Sequence, residues 1–237
     1  MKLDGVEITW LGHAAFRFRL DDGTTFVVDP FLTNNPLCPA EEKQPEQVDV
    51  IFVTHGHRDH LGDTASVARS TGASVFSIFE IKRWLVQQGV EDDRTVPLNK
   101  GGTVSAAAGV KATFVHAVHS SGIYGEEGMI NGGAAGGWVI DFPGGPTVYH
   151  AGDTDLFGDM RLIGELWEPD IACLPIGGHF TMAPRSAAKA ARLLGVETVI
   201  PMHFGTFPVL AGRPDHLREH SGGAFQVREL TVGAPVR

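Results

Sequence analysis

Short apolar runs of β character fill the first quarter of the chain: VEITW, AAFRFRL, TTFVVD and VDVIFVT, punctuated by glycine, aspartate and proline. Helical stretches then intervene. DTASVARSTG and IFEIKRWLVQQG are stopped by Gly72 and Gly89, and the strand ASVFSI lies between them. TVSAAAGVKATFVHAVH reads as a hairpin around Gly109, and GWVIDFPGGPTVYHAGD as a further β pair. The last third alternates helix and strand through LFGDMRLIGELW, DIACLPI, APRSAAKAARLLG and ETVIPMHF. Pro184 suits the first turn of its helix and Gly195 its stop.

Strands followed by helices in both halves predict a layered α/β protein in which helices cover packed sheets. No stretch has the length or composition of a linker, so residues 1–237 are expected to form one domain with a sizeable core. The glycine-rich stretch SSGIYGEEGMINGGAAGG, Ser120 to Gly137, reads as a long mobile loop inside this pattern.

Composition narrows the setting. The chain is 43% hydrophobic and 20% charged, and its apolar runs reach only strand length, far below the roughly 20 residues that span a bilayer. A soluble protein without a membrane partner is expected. The N-terminus lacks the basic patch and long apolar core of an export signal, so a cytoplasmic location is expected. Cys38 and Cys173 lie far apart with no C-x-x-C pair, which argues against a disulfide framework or a thiolate metal site. A net charge of −9 disfavours nucleic acid as a partner and leaves a small-molecule substrate as the expectation. Nothing in the pattern indicates an oligomeric state.

Most candidate ligands follow the end of an apolar β run: IFVTHGHRDH, TFVHAVH, VYHAGD and VIPMHF. They would gather on loops along one edge of the sheets, where a rigid scaffold lets several side chains address one spot. In HGHRDH, His55 and His57 alternate about Gly56, so an extended segment would turn both imidazoles to one side. Asp59 and His60 follow a turn and address a neighbouring position. Clustered imidazole and carboxylate groups are what a borderline divalent metal requires.

THGHRDHLGD is similar to the H-x-H-x-D-H signature of the metallo-β-lactamase superfamily. VHSS, YHAGDTDLFGDM, LPIGGHFTM and PMHFGTFP follow in the expected order, after the openings WLGHAAFRF and VVDPF. The resemblance runs from Trp10 to Pro208 and is closest to a branch of metal-dependent hydrolases related to L-ascorbate-6-phosphate lactonase. It implies a four-layer αβ/βα sandwich. It also implies a first metal held by His55, His57 and His119, a second held by Asp59, His60 and His203, and Asp153 bridging the two. His119 is preferred to His116 because it stands at the end of its strand, just before SSG.

Other residues receive open readings. Asp29 in VVDPF either orients a ligand imidazole from behind or starts a turn. His13, His150 and His179 flank the motifs as candidates to contact substrate or hydrogen-bond a carboxylate. His216 and His220, spaced i and i+4, read as an exposed helical face rather than a chelate.

A donor set of nitrogen and oxygen suits zinc and tolerates manganese or iron. Two such ions can share a hydroxide, since each lowers the pKa of bound water toward about 7. That hydroxide would attack a carbonyl carbon or a phosphorus while the metals polarise the oxygen on which charge develops. Asp59 would also orient the nucleophile or carry its proton, and the stretch from Ser120 to Gly137, with Tyr124, is a candidate cover. No G-x-S-x-G elbow or phosphate-binding G-x-x-x-x-G-K-[ST] loop occurs, which disfavours a serine hydrolase and a nucleotide-binding enzyme. The expected function is therefore a metal-dependent hydrolase of a small ester, lactone or phosphodiester. The alternatives are an RNA-processing nuclease of the same superfamily and a non-catalytic metal-binding or sensing protein.

Overall fold

The β runs of the first quarter form β1 (Val6–Trp10), β2 (Phe16–Leu20), β3 (Thr25–Val28) and β4 (Val50–Phe52) in a computed structural model, which describes residues 3–125 and 128–237. β5 (Ser74–Ile78) and β6 (Thr95–Leu98) complete a six-stranded sheet in the order β1-β2-β3-β4-β5-β6. Its first three strands are antiparallel and the rest run parallel. Between β4 and β5 lie the single turn α1 (Arg58–Leu61) and the helix α2 (Thr64–Thr71), and α3 (Phe79–Gln87) joins β5 to β6.

The hairpin around Gly109 is present as β7 (Thr103–Ser105) and β8 (Lys111–His116), paired antiparallel. A two-stranded ribbon follows, β9 (Gly122–Gly125) against β10 (Gly128–Asn131). Then come β11 (Gly136–Asp141), β12 (Thr147–His150), α4 (Met160–Trp167), β13 (Ile171–Pro175), α5 (Pro184–Leu194), β14 (Thr198–Met202), α6 (Pro214–Ser221) and β15 (Gln226–Val227). The second sheet has the order β15-β14-β13-β12-β11-β8-β7, parallel from β12 to β15 and antiparallel elsewhere.

The stretch from Ser120 to Gly137 thus corrects the expectation of a long mobile loop. It holds the β9–β10 ribbon and the start of β11; Glu126 and Glu127 within it lie outside the described residues. Its base is tied down: Ser121 Oγ accepts from Gly56 N at 3.0 Å and donates to Gly132 O at 3.0 Å.

Burial explains why the two sheets face each other. In β2 the alternation of FRFRL turns Phe16 and Phe18 inward, whereas β3, β13 and β14 are buried at every position because both of their faces are covered. Across the interface Phe18 and Phe26 lie 5.3 and 5.8 Å from Phe142, and Phe52 lies 4.9 Å from Trp138 (ring centroids). Burying each such ring contributes roughly 1.5–3 kcal/mol. The Trp138 indole N–H donates to Val53 O at 3.1 Å, so this buried donor is satisfied. α2 and α3 pack on the first sheet, and α5 and α6 on the second, with α4 against α5. The alanines of α5 (187, 188, 190 and 191) are all buried, and their small size lets the helix lie close to the sheet. The layers therefore follow the αβ/βα order. Asp29, His55, Asp153 and His203 all emerge where β3, β4, β12 and β14 end, so one edge of the sandwich collects them.

Candidate metal centre

The HGH turn leaves β4 in extended conformation, with His57 at φ −66° and ψ 149°. His55 Nε2 lies 3.1 Å from His57 Nδ1, and the His119 ring stands 5.1 and 5.0 Å from theirs (centroids). The outer ring nitrogens have partners: His55 Nδ1 meets Thr54 Oγ1 at 3.0 Å and His57 Nε2 meets Ser120 Oγ at 3.2 Å. Such partners fix ring orientation and leave the inner nitrogens free for a cation. Gly56 is required here by space, since a Cβ would come within 2.6 Å of Ile123 from the ribbon.

A second group sits deeper. α1 carries Asp59 and His60 on one turn, and His203 comes in from the end of β14. His60 Nδ1 is 2.7 Å from Asp29 Oδ2, and Asp29 also accepts from Thr54 N at 2.8 Å and Thr54 Oγ1 at 2.6 Å. Asp29 therefore holds the His60 imidazole from behind, the arrangement that its first expected role requires. Asp153 touches both groups: Oδ1 is 3.2 Å from His60 Nε2, and Oδ2 is 3.1 Å from His203 Nε2 and 3.5 Å from His119 Nε2. Asp59 Oδ2 lies 3.9 Å from His203 Nε2. Among the described residues, donor atoms of His55, His57 and His119 all lie within 4.8 Å of one another, as do those of His13, Asp59, His60 and His203.

Two observations test whether these residues fit divalent metal. Buried His60 Nε2, Asp153 Oδ1 and His203 Nε2 make no hydrogen bond of normal geometry, even though the two imidazoles stand within 3.2 Å of Asp153, and an unsatisfied buried polar group costs about 1–3 kcal/mol. A bound cation removes that cost. The donor separations of 3.1 to 3.5 Å also match the edge of a tetrahedral shell, about 3.4 Å for metal–nitrogen bonds near 2.1 Å. The donor set fits.

Electrostatics points the same way. Burial, followed by the crowding of neighbouring imidazoles, lowers the pKa of His55, His57 and His119 and keeps them neutral, the form that binds metal. His60 is the exception: burial alone would lower it as well, but the carboxylates of Asp153 and Asp29 outweigh it and raise its pKa, so a cation at its Nε2 would have to displace a proton. Burial opposes the charge on Asp153 and Asp59; the imidazoles of His203 and His60 for the first, and the His13 hydrogen bond for the second, win and hold both ionised. The backbone is strained here too. His13, Asp29 and His203 have φ of 57°, 49° and 56°, a left-handed conformation that costs a non-glycine residue about 1 kcal/mol or more.

Other candidates fall elsewhere. His116 ends β8 exposed, beside Lys100 Nζ at 2.9 Å. His150 is sealed in the core, where Nε2–H donates to Ala14 O at 2.9 Å and Nδ1 accepts from Gly152 N at 3.2 Å, so it meets neither substrate nor a carboxylate. His179 is exposed and packs on Phe180. His216 pairs with Arg213 on α6, and His220 is exposed. His13 reaches a carboxylate, with Nε2 3.1 Å from Asp59 Oδ2, and burial pushes its pKa down to about 4. A pocket of ≈ 350 Å³ opens onto His57, Asp59, His119, Asp153 and His203, with Arg58, Tyr124 and Phe180 at its mouth. Arg58 stands 4.9 Å over the Tyr124 ring.

The chain is similar to several known proteins. A family model described as the beta-lactamase superfamily domain matches residues 24–204. A UPF0173 metal-dependent hydrolase of Rubrobacter xylanophilus is 52% identical over 98% of this chain and 96% of its own. A metallo hydrolase from the hyperthermophilic archaeon Ignicoccus hospitalis superposes with a TM-score of 0.85 at 37% identity, covering 98% of this chain and 97% of its own. The diiron β-hydroxylase CmlA of Streptomyces venezuelae shares the fold at 18% identity and a TM-score of 0.76, over 99% of this chain and 54% of its own.

Proposed function

The chain belongs to the metallo-β-lactamase superfamily, and from that premise we propose that it is a hydrolase with a two-metal centre that cleaves a small ester, lactone or phosphodiester. That it is a metal-dependent hydrolase follows from its kinship with proteins so named. The observation that carries the finer reading is the pair of converging donor groups, with Asp153 touching both.

His55, His57 and His119 would hold one cation, Asp59, His60 and His203 the other, and Asp153 both. Zinc suits this oxygen and nitrogen set, and manganese or iron is tolerated. When bound, such a pair supplies an activated water near neutral pH and a Lewis acid for the substrate oxygen. Of the two site carboxylates that line the pocket, Asp59 is far the more exposed, with its side chain 32% exposed against 3% for Asp153. It is ionised, so it is placed to orient the attacking water and accept its proton at a carboxylate oxygen. Tyr124 and Phe180, both exposed at the mouth, would offer apolar contact to a substrate.

A pocket of ≈ 350 Å³ and a net charge of −9 favour a small substrate over RNA. The test is a panel of esters, lactones, phosphodiesters and a tRNA precursor, run on protein reconstituted separately with zinc and with manganese. Turnover of small substrates supports the proposal. Cleavage of the precursor alone would make the protein a nuclease, and tight metal without any turnover would make it a binding or sensing protein.

A further inference from the structure

We infer that His13 is a positioning residue for Asp59: its Nε2–H donates to Asp59 Oδ2, and Thr206 selects the tautomer that allows this. The inference rests on the reading of Asp59 as a ligand and proton carrier of a two-metal centre.

The hydroxyl of Thr206 lies 2.9 Å from His13 Nδ1 and 3.5 Å from the Phe204 carbonyl, so it either donates to Nδ1 or accepts from it and turns its own proton to that carbonyl. A hydroxyl bond is usually 2.7–2.8 Å, so the hydroxyl makes a far better bond by donating to the nearer nitrogen, which favours Nδ1 as acceptor. An imidazole that accepts at Nδ1 carries its own proton on Nε2, and that nitrogen is 3.1 Å from Asp59 Oδ2. The opposite arrangement, in which His13 takes a cation through Nε2, needs its proton on Nδ1 and drives the Thr206 hydroxyl to the poor 3.5 Å contact.

The fold holds this ring rigidly. The His13 carbonyl accepts from Trp10 Nε1 and from His203 N, each at 2.9 Å, and its φ of 57° is sustained by those bonds. The ring is fully buried, and its centroid lies 3.9 Å from that of His203. Three segments therefore meet on one imidazole: the β1–β2 turn, α1, and the chain after β14. Asp59 needs such support more than Asp153 does, because its side chain is partly exposed and would otherwise swing into the pocket.

The test pairs cobalt(II) titration of metal-free protein, read by visible absorption, with ¹⁵N-histidine NMR of the zinc-loaded protein. His13→Phe and Thr206→Val should weaken the cation held by Asp59 by about 10- to 100-fold and leave the other unchanged. His13→Gln, whose amide still donates, should recover most of that loss. The NMR spectrum should show a histidine protonated on Nε2, without a metal-induced shift, that disappears in His13→Gln. Thr206→Val is nearly isosteric and decides the matter where His13→Phe does not fold. Two cobalt equivalents in the wild type, with unchanged affinity in both variants or a proton on His13 Nδ1, would overturn the positioning role alone. A wild type that takes up a single equivalent would overturn the two-metal reading and this inference with it.

Discussion

The two donor groups differ in how firmly the protein holds them. In the first, His57 and His119 are half-buried and line the pocket, and the outer nitrogen of His57 leans on the exposed Ser120. In the second, His60 and His203 are sealed, and His60 is anchored by Asp29, itself fixed by two bonds from Thr54. A carboxylate partner in a dry setting makes a stronger and more directional bond than a hydroxyl near water. The contrast lies between side chains rather than whole groups: His57 and His119 face the pocket with at most a hydroxyl behind them and His60 is built into the floor, while fully buried His55 and partly exposed Asp59 each go against the trend of their own group.

His57→Ala breaks the comparison most severely. It should remove the cation of the open group and abolish hydrolysis together, a loss beyond the roughly 100-fold expected from substituting an outer partner. Metal analysis and turnover on one sample check it, and retention of both would exclude His57 as a ligand.

Asp29→Asn comes next and probes the floor. The amide cannot accept from Thr54 N, Thr54 Oγ1 and His60 Nδ1 all at once, so a buried donor is left facing a donor. Metal affinity of the deep group should fall about 10- to 100-fold, and thermal stability by about 1–3 kcal/mol. Ser120→Ala, the matching change at the open group, should cost less than tenfold in affinity and leave the melting temperature unchanged. Equal effects of the two variants would show that the groups are held alike.

The smallest effect concerns acid. His150 is not in the centre, yet it ties the His13 turn to the Asp153 loop through Ala14 and Gly152. Burial lowers its pKa in the folded state, so its contribution to stability is complete above the ordinary value near 6.5 and is lost as pH falls toward the lowered one. The gap in melting temperature between wild type and His150→Gln should therefore narrow from pH 7 to pH 5. A constant gap would mean that His150 does not resist protonation.

Much of this is legible in the sequence. The alternation in HGH, the turn that follows it and the four β runs ending in histidine or aspartate located the site on one edge of two sheets. A carboxylate bond was among the readings open for His13, but which carboxylate, and the part of Thr206, were not legible, because those partners lie 46 and 193 residues away in sequence. Only the fold makes them neighbours. The ribbon was hidden for another reason. Gly122 and Gly125 look like loop punctuation, but a Cβ on either would approach Met129 or Ile130 across the pair to about 2.5 Å. Those glycines make room for the partner strand, and their β character is invisible to propensity.

The most direct test of the central claim is anomalous diffraction from crystals of the zinc- or manganese-loaded protein. Two peaks are expected, one among His55, His57, His119 and Asp153, the other among Asp59, His60, His203 and Asp153. A single peak, or a second one away from Asp153, would contradict it.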